Sequence, residues 1–306
     1  MPSQAMQDAL DALWNRRKAS AGQAPPTLEE LRAGFVPGDR LHPVPDDVQV
    51  TDVTAGGVPA HWLTPPGTDP GRVLLFLHGG GFEFGSVRSD GELAARLGRA
   101  GRMRVLFLEY RLAPEHTFPA AIDDVLGAWR WLRSDQGLGA GSMSVAGDSA
   151  GGGLAVALLV ALRDAGEALP AATVLMSPTV DLTSSGASMT DRVDQDPIST
   201  PALLRQLAAD YLAGADPRTP LASPLFASLA GLPPLLIQVG TADLLLSDSE
   251  RLAAAASAAS VDVTLHIGEG LPHVYPLLLG TPEAAEATEQ TGKFLRARVP
   301  ATVEQP

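Results

Sequence analysis

A chain of 306 residues, of which 45% are hydrophobic and 19% charged, can bury a large core, so its composition excludes an intrinsically disordered protein. The net charge of −13 repels phosphate backbones, and no basic cluster larger than Arg16-Arg17-Lys18 offsets it, which argues against a nucleic-acid partner. The absence of cysteine excludes disulfides, a thiolate nucleophile and cysteine-ligated metal sites.

The chain also lacks a sequence pattern typical of membrane insertion. Its first 18 residues mix charged with apolar side chains, and the longest apolar run, Gly153 to Leu162, is too short to cross a bilayer. We therefore expect a cytoplasmic protein without stable membrane association.

The N-terminal region is predicted to form two short helices. Apolar residues recur there at helical spacing in two sets, which Pro25-Pro26 separates: Leu10, Leu13 and Trp14, then Leu28, Leu31 and Phe35. Three prolines within residues 37–47 predict a linker, because proline disfavours both helix and paired strand. After the linker, alternating residues around Gly56-Gly57 predict a β-hairpin.

The body of the chain alternates apolar strands with helices. Five short apolar runs predict strands that are buried on both faces of a parallel sheet: RVLLFLHGGG, RVLFLEYRLAP, MSVAGDSAGG, ATVLMSPTVD and PLLIQVGTAD. Helices are predicted at 89–99, 119–133, 150–165 and 248–259. The run VDVTLHIGEG adds a strand, and Thr281-Pro282 begins a closing helix. This alternation predicts an α/β fold with a mostly parallel sheet and crossover helices on both faces.

Residues 182–220 interrupt the alternation. They contain a polar loop and one helix, which is predicted to begin near Ser199-Thr200 and to end at Gly214. We expect this insertion to fold over the edge of the sheet beside the N-terminal helices. The main α/β domain then consists of residues 46–181 and 221–306.

A lone serine stands at one of the predicted strand-to-helix turns. The stretch Gly147-Asp148-Ser149-Ala150-Gly151 matches the pattern G-x-S-x-G, in which a tight turn exposes a serine hydroxyl to a base. A phosphate-binding loop would need a Gly-Lys step, but no lysine occurs between Lys18 and Lys293. A chymotrypsin-like protease is excluded because a helix follows the serine and cysteines are absent. Ser149 is therefore a candidate nucleophile.

A second motif lies at the end of an earlier strand. In LLFLHGGGF, three glycines follow His78, and their backbone N–H groups can converge on a developing alkoxide. The N–H of Ala150, directly after the serine, supplies another donor. We assign His78 to holding this loop and not to proton transfer.

The base that activates the serine is predicted to be His273. In folds with this serine turn the base follows the nucleophile and the acid in sequence, which leaves His266 and His273 among six histidines. His266 lies inside an alternating strand, whereas His273 lies in the loop GEGLPHVYP, which can lean over the end of the sheet.

The acid that orients this base is predicted to be Asp243, because it directly follows a buried strand. Its rivals are Asp181, after the preceding strand, and Asp248, which we expect to cap the next helix. Three further carboxylates lack the glycine and the glutamate of a calcium loop and are interpreted as a solvated loop: Asp191, Asp194 and Asp196.

In combination, these motifs resemble the bacterial hormone-sensitive lipase family of α/β-hydrolase esterases. The matching stretches are HGGGF (78–82), YRLAPEHTFPAAIDD (110–124), GDSAGGG (147–153), SPTVDL (177–182), GTADLLLSDS (240–249) and LPHVYP (271–276). The resemblance covers residues 40 to 300.

The resemblance implies an α/β-hydrolase fold and a role for each candidate. Ser149 is the expected nucleophile, His273 the base and Asp243 its partner. The expected oxyanion hole consists of the backbone N–H groups of Gly80, Gly81 and Ala150. The resemblance further implies a small helical cap, made of residues 1–45 and 182–220, on a catalytic domain of residues 46–181 and 221–306.

Two positions depart from the family pattern. Glu83 stands where relatives usually carry an apolar residue, and Leu244 replaces the proline that commonly follows the acid. We expect both to alter the rim of the pocket without removing chemistry. The expected pocket wall consists of Phe82, Leu204, Leu207, Tyr211 and Val274.

The resemblance implies a carboxylesterase that hydrolyses short to medium acyl esters through an acyl-enzyme and needs no metal or organic cofactor. Two alternatives remain open. The length and N-terminal pattern also resemble monoterpene lactone hydrolases, so a lactone is a second candidate substrate. Plant gibberellin receptors share the scaffold as binding proteins without the catalytic histidine, and the presence of His273 argues against that alternative. A homodimer also remains open.

Overall fold

The computed structural model describes residues 1–20, 22, 27–34 and 43–300. Much of the predicted linker, and Phe35 of the second predicted helix, lie outside the described residues. Residues 43–47 form neither helix nor strand.

Within the described residues, eight strands form a single sheet, and most neighbouring strands are parallel. In chain order they are β1 Gln49–Ala55, β2 Val58–Thr64, β3 Asp69–Leu77, β4 Met103–Leu108, β5 Met143–Asp148, β6 Ala172–Met176, β7 Leu235–Ala242 and β8 Val263–Pro272. Their spatial order is β1-β2-β4-β3-β5-β6-β7-β8. The hairpin of β1 and β2 and the pair of β2 and β4 are antiparallel, and the other neighbours are parallel. The predicted fold class is confirmed.

Helices connect the strands close to the predicted positions. In chain order they are α1 Gln4–Ser20, α2 Leu28–Gly34, α3 Val87–Gly101, α4 Ala120–Ser134, α5 Ser149–Asp164, α6 Ser188–Asp191, α7 Pro201–Leu212, α8 Leu246–Ala258 and α9 Pro282–Arg298. Thr200 and Thr281 cap α7 and α9 as predicted, since each hydroxyl accepts a backbone N–H and a proline follows. The expectation that the first helix is short was wrong, because α1 has 17 residues.

Side chains of the central strands pack into two hydrophobic cores, one on each face of the sheet. Along β3, Leu75 and Leu77 face the core that contains residues of α4, α5 and α8, whereas Leu74 and Phe76 face the core that contains residues of α3 and α9. Successive side chains of a strand point to opposite faces, so a strand that is covered on both sides must be apolar throughout.

The N-terminal helix and the insertion meet over the sheet. Met6 and Leu10 of α1 pack against the segment that follows β8, in a cluster with Tyr275 and Leu278. Further along α1, Arg17 donates hydrogen bonds to the backbone of the insertion. The adjacency of these two regions agrees with the sequence interpretation, while the exact domain boundaries remain a prediction.

Candidate active site

Ser149 occupies a strained turn between β5 and α5. Its φ is +49°, in the left-handed region that residues with a Cβ rarely adopt. Glycines make the turn possible, because a Cβ on Gly147 would lie 2.3 Å from the carbonyl oxygen of Gly151. A Cβ on Gly151 would in turn lie 2.0 Å from the carbonyl oxygen of Leu77 in the adjacent strand. The strand and the helix therefore approach closely and leave the serine at the carboxyl edge of the sheet.

His273 follows β8 at the same edge and contacts Ser149. Its Nε2 lies 3.0 Å from Ser149 Oγ, and its Nδ1 lies 3.1 Å from each carboxylate oxygen of Asp243. Because a carboxylate can only accept, Nδ1 carries the proton of the neutral ring and Nε2 accepts the serine hydroxyl. The loop is fixed by the N–H of Val274, which donates to Ser177 Oγ at 3.0 Å.

Asp243 is fully buried in the turn between β7 and α8, where it also accepts the N–H of Leu245 at 2.8 Å. Burial lowers the pKa of His273, but the charge and the hydrogen bond of Asp243 oppose this effect, and together with Asp196 they leave the pKa raised. The arrangement favours a histidine that takes up a proton readily.

The two rival carboxylates have other partners. Asp181 accepts hydrogen bonds from Arg251 at 2.7 Å and from Ser185 at 2.6 Å. Asp248 accepts the backbone N–H groups of Val180 and Asp181 at 2.9 and 3.0 Å. The expectation that Asp248 caps α8 was wrong, because Asp248 lies inside the first turn and its carboxylate fixes the neighbouring loop.

The glycine loop after β3 lies beside Ser149. Gly80 and Gly81 have φ values of +108° and +61° and line the same cavity as Ser149 and His273. A Cβ on Gly80 would lie 2.2 Å from the carbonyl oxygen of Phe84, so this position requires glycine. Ala150 is the second residue of α5, and an N–H in the first turn of a helix has no acceptor within the helix.

His78 is buried beneath this loop and does not reach Ser149 through any hydrogen bond of the described residues. Its Nδ1 pairs with the carbonyl oxygen of Gly79 at 2.7 Å, and its ring stacks on Tyr110 with 4.2 Å between centroids. Burial lowers the pKa of His78 to about 4, so the ring is neutral at neutral pH. These contacts agree with a loop-holding role.

Two buried acids, Asp148 and Asp90, line the same cavity as Ser149. Asp148 accepts the N–H of Gly79 at 3.0 Å and thereby joins the end of β5 to the glycine loop. Burial, reinforced by the charge of Asp90, raises the pKa of Asp148 well above its usual range, and burial raises the pKa of Asp90 to about 7. Both shifts favour the protonated carboxyl, because two neighbouring buried charges would repel each other.

A cavity of about 1050 Å³ opens above Ser149 and His273. Of the predicted wall residues, Phe82, Leu204, Leu207 and Val274 line it. Tyr211 does not belong to the lining residues; its ring stacks on Phe82 from behind, with 3.9 Å between centroids. The helix α1 contributes Ala9, Ala12, Leu13, Arg16 and Arg17 to the lining, which sequence reasoning did not assign.

The interpretation of the acidic loop was wrong for one of its three residues. Asp191 and Asp194 are exposed, but Asp196 has no exposed surface. Its carboxylate accepts the N–H groups of Ile198, Ser199 and Leu244 at 2.7, 2.8 and 3.0 Å. The sequence contains one usable signal, the Asp-Pro step just before a capped helix, because such an aspartate commonly accepts backbone N–H groups two and three residues later.

Glu83 lies behind the glycine loop at 7% exposure. Burial raises the pKa of Glu83 to about 7, and the charge of Asp210 and a hydrogen bond to it act in the same direction. Arg32 of α2 donates to the backbone carbonyl of Glu83 at 2.8 Å and holds Glu115 in a bidentate ion pair. The carboxyl of Glu83 thus faces Asp210 of α7, its backbone carbonyl binds α2, and Glu83 is not among the residues that line the cavity.

Within residues 1–20, 22, 27–34 and 43–300, no three histidine, aspartate or glutamate side chains are grouped so that they could hold a metal ion. Among the same residues, no helix is both long enough and apolar enough to span a bilayer.

Known proteins share both the sequence pattern and the architecture. Residues 74–277 match a family described as alpha/beta hydrolase fold. An acetyl-hydrolase of Streptomyces hygroscopicus is 48% identical over 295 residues, which cover 95% of each chain. A solved esterase from the bacterial hormone-sensitive lipase family has a TM-score of 0.92 and 40% identity, and the match covers 98% of this chain and 100% of that chain. The esterase EstE5, soaked with p-nitrophenyl butyrate, has a TM-score of 0.91 and 40% identity over 97% of this chain and 99% of its own.

The chain belongs to the α/β-hydrolase fold, and within it to the bacterial hormone-sensitive lipase family. It is an ester hydrolase, as the sequence motifs predicted.

Proposed function

We propose that the protein hydrolyses carboxylic esters with short to medium acyl chains through a Ser149-His273-Asp243 acyl-enzyme mechanism. The observation that carries the proposal is the continuous hydrogen-bond chain from Ser149 Oγ through both ring nitrogens of His273 to the buried carboxylate of Asp243. A serine hydroxyl is a weak nucleophile at neutral pH, and a base within 3.0 Å is what its activation requires.

In the first half-reaction, Ser149 Oγ attacks the ester carbonyl carbon while its proton passes to His273 Nε2. The carbonyl oxygen becomes an oxyanion that the N–H groups of Gly80, Gly81 and Ala150 stabilise. The tetrahedral intermediate then collapses, the bond between the carbonyl carbon and the alcohol oxygen breaks, and His273 gives its proton to the departing alcohol. The acyl group is left on Ser149.

In the second half-reaction, a water molecule gives a proton to His273 as its oxygen attacks the acyl carbon. The same N–H groups stabilise the second oxyanion. The bond to Ser149 Oγ breaks, His273 returns the proton to that oxygen, and the carboxylic acid leaves. Asp243 stays ionised throughout and holds the ring in the required tautomer.

Three observations support the substrate class. One relative is an acetyl-hydrolase, and a structural relative was soaked with a butyrate ester. The cavity has room for an acyl chain and a sizeable alcohol, and Leu204, Leu207 and Val274 give it apolar walls. A cyclic ester can undergo the same two steps, so a lactone is the competing substrate class.

The test is a panel of p-nitrophenyl acetate, butyrate, hexanoate and palmitate, with a monoterpene lactone as competitor. We expect hydrolysis of the shorter esters, little hydrolysis of palmitate, and loss of activity in Ser149→Ala. Faster turnover of the lactone than of every linear ester would replace the proposed substrate class. Unchanged hydrolysis by Ser149→Ala would overturn the mechanism.

A further inference from the structure

Asp196 links the insertion to the turn that carries Asp243. One carboxylate oxygen accepts the N–H groups of Ile198 and Ser199, which closes the loop before α7. The other oxygen accepts the N–H of Leu244 at 3.0 Å, and Leu244 directly follows Asp243. A buried carboxylate of the insertion therefore holds the backbone beside the acid that contacts His273.

The same turn is held from a second side. Ser188 Oγ donates to the carbonyl oxygen of Leu244 at 2.6 Å and accepts the N–H of Ser247 at 3.0 Å. Both backbone polar groups of Leu244 are thus bound by residues of the insertion. From α1, Arg17 donates to the carbonyl oxygens of Asp196 and Ser199 and fixes the loop against the N-terminal helix.

The identity of residue 244 makes this contact available. A proline has no N–H, so the Asp-Pro step common in the family offers no donor at this place. Leu244 supplies that donor, and Asp196 accepts it. The leucine that departs from the family pattern therefore provides an N–H group, and the buried carboxylate of Asp196 in the insertion accepts it.

The charge of Asp196 also acts on the site. Its charged neighbours are Asp243 and His273, while the guanidinium of Arg17 binds its backbone. Burial raises the pKa of Asp196, the charge of Asp243 raises it further, and His273 and the backbone N–H groups oppose the rise. In its ionised form Asp196 adds to the effect of Asp243 and raises the pKa of His273.

We propose that Asp196 is a positioning residue for the triad: it sets the orientation of Asp243 towards His273 through the N–H of Leu244 and stabilises the imidazolium electrostatically. The proposal rests on the proposed function, because it assigns Asp196 a role in proton transfer at Ser149. The insertion then does more than cover the cavity, since it completes the geometry on which the reaction depends.

The experiment compares Asp196→Asn with Asp194→Asn, an exposed carboxylate of the same loop. In Asp196→Asn the amide oxygen can still accept from Ile198 and Ser199, but the amide nitrogen cannot accept from Leu244 and the charge is gone. We expect kcat for p-nitrophenyl butyrate to fall about 10- to 100-fold with little change in KM, because small misplacements of reacting groups cost rates of this order. Asp194→Asn should behave like the wild type.

The pH profile separates this role from a merely structural one. Removing the negative charge lowers the pKa of His273, so the acid limb of kcat/KM should move to lower pH in Asp196→Asn. A wild-type kcat and pH profile in this variant would overturn the proposal, and so would a lower kcat with an unmoved acid limb.

Leu244→Pro is the second variant, and it decides the outcome if Asp196→Asn does not fold. It deletes the N–H that Asp196 accepts, while the carboxylates of Asp196 and Asp243 remain. We expect a lower kcat for the same ester, and a wild-type kcat would overturn the proposal.

The rate of Ser149 labelling by diethyl p-nitrophenyl phosphate separates a failure of this proposal from a failure of the proposed function. Equal rates in the wild type and in Asp196→Asn would overturn this proposal alone, whereas no labelling of the wild type would overturn the proposed function as well.

Discussion

Nε2 of His273 lies 3.0 Å from Oγ of Ser149, although 124 residues separate them in the chain. The contact arises because β5 and β8 run parallel within one sheet, and the residues that follow the two strands meet at the same edge. Asp243 follows β7, which lies beside β8 and between β8 and β5 in the sheet, and it contacts the other side of the imidazole.

Ser149→Ala and His273→Ala should each lower kcat by about six orders of magnitude, because a nucleophile and its base act as one unit. For the same reason, the double variant should be no slower than either single variant. Hydrolysis of p-nitrophenyl butyrate at high enzyme concentration measures the residual rates. If the two losses multiplied in the double variant, the residues would be acting independently.

Asp243→Asn should lower kcat by about 10⁴-fold, because an amide nitrogen facing Nδ1 favours the tautomer that cannot accept the serine proton. KM should change little, since Asp243 does not line the cavity. Asp262→Asn is the control, because Asp262 is exposed and its ion pair with Arg298 is remote from the site. A loss smaller than tenfold would mean that Asp243 does not orient the base.

The activity should decline as the pH falls through the pKa of His273, because only the neutral ring can accept the serine proton. Burial lowers this pKa, but Asp243 and Asp196 raise it, and the net shift is upward from 6.5. The acid limb of kcat/KM should therefore have its midpoint above 6.5. A midpoint below that value would contradict the electrostatic picture of the site.

Glu83→Gln should stabilise the protein at alkaline pH. The pKa of Glu83 rises from 4.5 to about 7 on folding, so the folded state retains a proton that the unfolded chain releases in this range. The contribution of protonated Glu83 to the stability of the wild type is therefore lost as the pH rises from 4.5 to about 7. In urea unfolding at pH 8, the free energy of unfolding of Glu83→Gln should exceed that of the wild type by about 1–3 kcal/mol. This difference should disappear below pH 4.5.

Glu115→Gln provides a control of opposite sign for this titration. The hydrogen bond from Arg32 lowers the pKa of Glu115 to about 2, so its contribution is present above 4.5 and is lost as the pH falls through about 2. This variant should be less stable than the wild type at pH 7, and the two should be equally stable below a pH of about 2. The same difference at every pH, in either variant, would rule out titration as the cause.

Gly80→Ala should lower kcat about 10²- to 10³-fold, the loss typical of one missing oxyanion donor. The new Cβ would lie 2.2 Å from the carbonyl oxygen of Phe84, and φ is +108°, so the loop must move. Gly141→Ala is the matched control, because no atom lies within 4 Å of its Cβ and its φ is outside the left-handed region. Normal turnover by Gly80→Ala would remove Gly80 from the proposed oxyanion hole.

Features with a local or periodic signal could be predicted from the sequence. The strands β3 to β7 and the threonine caps of α7 and α9 depend on residues that are neighbours in the sequence. Their predicted positions agree with the structure. His273 and Asp243 could be selected because each follows a strand, and the ends of parallel strands meet.

Features that depend on distant packing could not be predicted. The Asp-Pro step could have marked Asp196 as a local acceptor for Ile198 and Ser199, but its contact with Leu244 depends on how the insertion packs against the turn after β7. The sequence position of Asp248 indicates a helix cap, but its carboxylate binds the backbone of the distant loop at Val180. Tyr211 has the spacing of a cavity residue, but Phe82 stacks between it and the cavity.

The most direct test of the account is incubation of the wild type with diethyl p-nitrophenyl phosphate, followed by peptide mass mapping. We expect one diethylphosphoryl adduct, on Ser149, together with parallel loss of ester hydrolysis, and no adduct in Ser149→Ala. An adduct on any other residue, or full activity after complete modification of Ser149, would contradict it.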